Sequence, residues 1–184
     1  MLVAAALGLS VGLWPRASEP DWIGAARAVH AEWAKGQTNG TKDAGTTSAV
    51  LLAAVEDFGR VPFVPDFSAN KLSLASVRRA RLPETPVLHL GYRGTRGCRV
   101  SLLVLAEPRG LAADLATVAT PTGPAFLWRA GGIGYALIAS GMDESRLRVL
   151  AEAAHAATRE RSQPDAETRT ALRKSRAESQ PCGA

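Results

Sequence analysis

Two apolar, β-rich runs, Val87–Tyr92 and Cys98–Val104, flank Gly94-Thr95-Arg96-Gly97, a short glycine-bracketed connection that reads as a hairpin turn. Side chains alternate across a strand, so Leu88, Leu90 and Tyr92 share one face of the first strand. Cys98, Val100, Leu102 and Val104 share one face of the second. A further pair follows, Ala125–Arg129 and Ile133–Ala139, joined through Gly131-Gly132. Two adjacent glycines between apolar runs again predict a hairpin, because both take positive φ without a Cβ clash. Each hairpin presents an apolar face that needs a cover.

The helical period supplies covers on either side. Pro20-Asp21 opens a helix to about Lys35, with Trp22, Ala26, Val29 and Trp33 forming its apolar stripe and His30 beside it as an edge or packing residue. Gly36 to Thr47 is polar and glycine-rich and reads as a loop. Ser48 is positioned to cap a second helix, Ala49 to about Gly59, with a Leu51, Leu52, Val55 and Phe58 stripe. Pro62 and Pro65 force an extended segment before a strand over Lys71–Arg81, whose Arg78, Arg79 and Arg81 suit an exposed edge. Pro108 to Pro124 reads as a connection holding a short helical turn. Gly141 to Ser145 leads into a helix to about Arg161. Its stripe of Leu147, Leu150, Ala151, Ala154 and Thr158 is small enough to lie close on a sheet, and His155 is read as structural or exposed. Ser162 to Ala184 is highly charged and poor in apolar residues, which predicts a disordered tail.

The first fourteen residues, Met1 to Trp14, are apolar throughout, too few for a bilayer, which needs roughly twenty. No charged n-region precedes the run, as a signal peptide would require. The run reads as the outer half of a membrane helix whose beginning lies upstream, with Trp14 at the interfacial belt.

Composition narrows the function classes. At 184 residues and 46% hydrophobic the chain holds one domain with extensions. The net charge of +5 is concentrated between Arg60 and Arg109, where nine Lys/Arg face three Asp/Glu. A solvated arginine-rich sheet face explains that excess, and an anionic partner is the competing reading. Cys98 and Cys182 have no metal-ligand spacing. A buried free Cys98 is the expectation, with a Cys98–Cys182 disulfide the alternative in an oxidising compartment.

Catalytic constellations are missing. Cys98 and His89 are the tempting pair, but if Arg93 pairs with Cys98 then His89 opposes Leu102, roughly 13 Å from Cys98 at about 3.3 Å per residue. Phosphate-loop, dinucleotide, metal-helix and paired-carboxylate patterns are not present. Gly131-Gly132-Ile133-Gly134 is better explained as a hairpin than as a phosphate cradle. No catalytic residue, metal ligand or cofactor is therefore assigned. Tyr92, Arg96, Arg99, Trp128 and Tyr135 are the candidate binding residues, with core packing the default for Trp128 and Tyr135.

An ordered set of motifs carries a resemblance: Val64-Pro65-Asp66-Phe67-Ser68, Leu88-His89-Leu90-Gly91-Tyr92, Arg96 to Leu102, Trp128 to Leu137, and Ala139 to Asp143. From about Trp22 to Thr158 the chain resembles the extracytoplasmic domain of membrane-anchored anti-sigma factors. In that family a helix bearing Trp and His follows the membrane helix, and a small antiparallel sheet and a closing helix come after. The family's cytoplasmic helical domain, often with a His-x-x-x-Cys-x-x-Cys zinc motif, has no counterpart here, so a sigma factor is implied as a partner only through a further upstream domain. The resemblance implies a non-enzymatic sensing domain, periplasmic and held at the inner membrane. The expected organisation is an apolar segment over residues 1–16, an α+β domain over 17–161 and the tail over 162–184. Its expected fold is α+β: two N-terminal helices, an antiparallel sheet of about five strands and a C-terminal helix packed on it. The alternative is a cytosolic nucleic-acid-binding module using Arg78, Arg79, Arg81, Arg93, Arg96 and Arg99, which is disfavoured because no stacking aromatics interleave them.

Overall fold

A central antiparallel sheet organises the molecule. The computed structural model describes residues 20, 22–36, 44–83, 85–108 and 110–182. The apolar segment over 1–16 lies outside them. Its strands are β1 (Leu72–Leu82), β2 (Thr85–Gly94), β3 (Arg99–Leu105), β4 (Ala116–Val118), β5 (Ala125–Ala130) and β6 (Ile133–Ser140), arranged in the order β1-β2-β3-β6-β5-β4. The fold is α+β, as expected. The sixth strand is β4, in the connection where a helical turn was expected, and it pairs with β5 through Ala116–Leu127 to Val118–Ala125. Both glycine turns form as read. Gly131 and Gly132 have φ of 57° and 81°, and Gly97 has φ of 81°.

The β2–β3 register differs from the expectation by one residue. Arg93 faces Arg99 rather than Cys98, and His89 faces Leu103 rather than Leu102. A one-residue slip decides which side chains share a face. His89 and Ser101 therefore lie on one face, while Cys98 lies on the other with Leu90 and Tyr92.

Both faces of the sheet are buried, not one. The first carries Leu88, Leu90, Val100, Leu102, Trp128 and Leu137. It is covered by α2 (Ala44–Ala53), α3 (Val55–Phe58), a 3-10 turn at Ser68–Asn70, α4 (Glu144–Glu160) and α5 (Ala166–Glu178). The second carries Val87, Leu103, Leu105, Leu127, Ala136 and Ile138, covered by α1 (Ile23–Lys35) and the connection around Leu111. Two-sided burial explains why β2, β3 and β6 read as near-continuous apolar runs.

The helices show local corrections. The buried stripe of α1 is Ile23, Ala26, His30 and Trp33: Ala26 and Trp33 are buried as expected, while Ile23 and the polar His30 take the places of Trp22 and Val29, which are partly buried beside them. The helix expected from Ala49 begins at Ala44 and breaks into α2 and α3, ending at Gly59 with φ of 66°. In α4 the predicted stripe is buried, and Asp143 caps the helix by accepting from the Ser145 and Arg146 amides.

The expected disordered tail is instead ordered: α5 is capped by Asp165 and buries Leu172, and Cys182 forms a disulfide with Cys98. Few apolar residues were needed, because a covalent bond and polar clasps do the holding. The expected free Cys98 is thereby corrected. Cys98 points into the first-face core, where the returning chain delivers Cys182 with the Cα atoms 4.9 Å apart.

Candidate functional site: a buried histidine–serine relay

Four polar side chains meet between α1 and the centre of the sheet. His30 comes from α1, His89 from β2, Ser101 from β3 and Ser140 from the end of β6. Gly91 on β2 makes the approach of the helix feasible, since a Cβ there would lie 2.5 Å from the Trp33 ring. That ring in turn packs edge-on against His89, with centroids 5.5 Å apart. His30, His89 and Ser101 are all buried.

The hydrogen bonds form one chain. Arg78 Nε donates to His89 Nδ1 (3.3 Å), His89 Nε2 meets Ser101 Oγ (2.8 Å), Ser101 Oγ meets His30 Nδ1 (2.8 Å), and His30 Nε2 meets Ser140 Oγ (2.7 Å). Arg78 also donates to the Val29 carbonyl of α1 (3.2 Å), tying the edge strand to the helix.

Direction along this chain follows from the donor at its head. A guanidinium only donates, so His89 Nδ1 accepts and its ring proton sits on Nε2. His89 Nε2–H donates to Ser101 Oγ. With the Ser101 hydroxyl donating in turn to His30 Nδ1, the His30 proton sits on Nε2, pointing at Ser140. Each buried group is satisfied in this arrangement. The same arrangement bears on Ser140. A serine nucleophile needs an imidazole nitrogen that accepts its proton, whereas here the imidazole donates to the hydroxyl.

Both rings are held neutral. Burial pushes His30 down from 6.5 to about 4, with the Arg27 charge adding to it. His89 is pushed down to about 3 by burial, then by Arg78 and His30. A neutral, directional chain of this kind acts as a polar latch for α1 on the seam where β3 meets β6.

The residues selected from sequence lie elsewhere and do not converge. Tyr92 is buried, donates to the Pro65 carbonyl (2.9 Å) and packs on Phe67, and burial raises its phenol. Trp128 and Tyr135 stack at 5.3 Å inside the core, where Trp128 donates to Thr158 Oγ1 (2.9 Å). All three rings are buried. Arg96 donates to the Arg176 and Ser179 carbonyls (2.9 and 3.0 Å), clasping the end of α5. Arg99 bonds its neighbouring Gly97 and Cys98 carbonyls, and its guanidinium is lowered by partial burial and by Arg93. His89 and Cys98 lie on opposite faces of the sheet, so the pair does not meet.

Sequence reading passed over Ser101, Ser140, Asn70 and Arg146. Ser101 sat in an apolar run as an ordinary small residue. Arg146 carried a signal: it lies one helical turn before Leu150 on the buried stripe of α4. A shallow cavity of about 320 Å³ lies between the Val64–Ser68 segment, β1 and Tyr92, and its carboxylate, Asp66, is bonded to the Ser68 amide and hydroxyl. Among the described residues no group of three or more His, Cys, Asp or Glu is placed to hold a metal, and no helix is long and apolar enough to cross a membrane. No family model, curated protein or solved structure matches the chain.

Proposed function

We propose that the domain is the extracytoplasmic sensing part of an anti-sigma-factor-like transmembrane regulator, non-enzymatic and held at the inner membrane through its N-terminal side. The observation that carries this reading is the Cys98–Cys182 disulfide, because such bonds persist in oxidising compartments and are rare in a reducing cytosol. The apolar run before α1 and the motif order from Trp22 to Thr158 agree with it. So does the relay, whose polar contacts add to the apolar packing of Ile23, Ala26 and Trp33 in docking α1, the helix nearest that run. Signalling would consist of α1 leaving the sheet. Sigma-factor binding is assigned to no residue of this chain.

The nucleic-acid alternative is weakened by how the arginines are used. Arg79 pairs with Asp57 (2.7 Å), Arg78 serves the relay and Arg96 clasps α5, so they are engaged within the protein. Fractionation of cells making a tagged full chain, followed by maleimide labelling with and without reductant, tests the proposal. Membrane-associated protein whose thiols label only after reduction is the expected result. A purely cytosolic protein with freely labelling cysteines overturns it.

A further inference from the structure

A second buried polar cluster lies on the opposite face of the sheet from the relay. Arg146 of α4 is only 1% exposed. Its Nε and Nη2 donate to Asn70 Oδ1 (2.9 and 2.5 Å), and Nη2 also donates to the Asn70 carbonyl (3.3 Å). Its remaining nitrogen, Nη1, points at the disulfide, 3.3 Å from Cys98 Sγ and 3.9 Å from Cys182 Sγ. None of these acceptors carries a charge. Arg96 and Arg176 add further positive charge around Arg146, opposed by Asp143. A buried cation facing neutral acceptors is an unusual arrangement, because such a charge is normally paired.

We propose that Cys98–Cys182 is a reducible switch, with Arg146 as the positioning residue that receives the Cys98 thiolate and α5 as the element released. The two cysteines are unequal. Cys98 is fully enclosed, whereas Cys182, also buried, keeps 6% exposure and lies on the last described stretch of chain. A thiolate of a dithiol reductant attacks Cys182 Sγ. The protein S–S bond breaks, and Cys98 leaves with the electron pair beside the Arg146 guanidinium. The second thiol of the reductant, deprotonated, attacks the mixed disulfide. It releases the Cys182 thiolate, which takes a proton from solvent, and the reductant departs as its own disulfide. Exchange is faster when the leaving thiol is the more acidic, and the three arginines act in that direction. They also attract an anionic attacker.

Reduction removes the covalent tie to α5 and leaves it held by Leu172, by Asn70 Nδ2 on the Leu172 carbonyl (2.9 Å) and by the Arg96 clasp. The same Asn70 holds Arg146, so the two events are linked through one side chain. This switch goes beyond the sensor reading: it concerns the response of the bond to a dithiol reductant, and the in vitro test below reads that response separately from where the domain resides.

The test uses the full chain. In Cys182→Ser the lone Cys98 is titrated by thiolate absorbance near 240 nm, which needs no reagent access. A midpoint at least about one unit below the ordinary 8.5, meaning about tenfold more thiolate at neutral pH, is expected. Adding Arg146→Gln should return it to 8.5 or above. If that double variant fails to fold, the single-variant titration still decides. In the wild type, dithiothreitol should speed amide exchange across 166–178 at least about tenfold while β2 and β3 stay protected. A Cys98 midpoint at or above 8.5, or unchanged exchange in 166–178 on reduction, overturns the proposal.

Discussion

Mild acid is the sharpest probe of the relay. The His30 and His89 rings titrate near 6.5 when unfolded but near about 4 and about 3 when folded. Below pH 6.5 the unfolded chain therefore binds protons that the folded rings refuse, and stability falls as pH falls. The loss begins near 6.5 and continues until the folded rings themselves titrate. Above 6.5 the two rings contribute no slope. Each ring costs up to about 1.4 kcal/mol per pH unit, so two rings over the two units from 6.5 to 4.5 amount to about 5 kcal/mol. That is comparable to the whole stability of an ordinary domain. Urea unfolding followed by far-UV circular dichroism between about pH 7 and 4.5 reads this directly, above the range where most carboxylates titrate. A stability that stays flat across that interval, or ring nitrogen shifts showing either histidine titrating near 6.5, refutes the reasoning.

Other outcomes follow from the same contacts. Ser101→Ala leaves the His89 Nε2 proton and the His30 Nδ1 lone pair buried without partners, and should cost about 2–4 kcal/mol. For a chain of this size that lowers Tm by about 5–15 °C in a calorimetric scan, while Ser140→Ala, at the exposed end, should cost under about 1 kcal/mol. Nitrogen-15 NMR should find both rings as the Nε2–H tautomer, and an Nδ1–H His30 would contradict the direction of the relay. Gly91→Ala drives a methyl into the Trp33 ring, and should destabilise by about 1–3 kcal/mol with amide exchange rising first in α1. Cys182→Ser, compared with the oxidised wild type, should lose about 2–4 kcal/mol in urea, since the bond closes a loop spanning a separation of 84 residues.

The sheet was legible because turn chemistry is local. Gly131-Gly132 demands positive φ at both residues, and the two flanking apolar runs then have one way to pair. What was hard to read depended on partners distant in sequence. Ser101 looks like filler until the one-residue register places it opposite Gly91 and beside His89, and nothing within Val87–Val104 fixes that register alone. The order of α5 has a similar origin. Its own sequence buries one side chain, Leu172, and its place is set by Arg96 and Cys98, some 80 residues earlier. The aromatic candidates are ambiguous in sequence for another reason: Tyr92, Trp128 and Tyr135 are amphipathic rings that suit a surface or a core, and in the fold each has its hydrogen-bond or stacking partner inside.

The strand order has a mechanical consequence. The two hairpins join only along β3 and β6, and α1 lies across that joint with its hydroxyl contacts on each side, Ser101 on β3 and Ser140 on β6. Tension applied to the front end of α1 peels its contacts one at a time, starting at Ile23 and reaching His30 last but one turn. The sheet beneath is held by its own antiparallel ladders, none of which includes α1. Lifting the helix would thus bare the joint between the hairpins and change the surface the domain presents, with every rung of the sheet left in place.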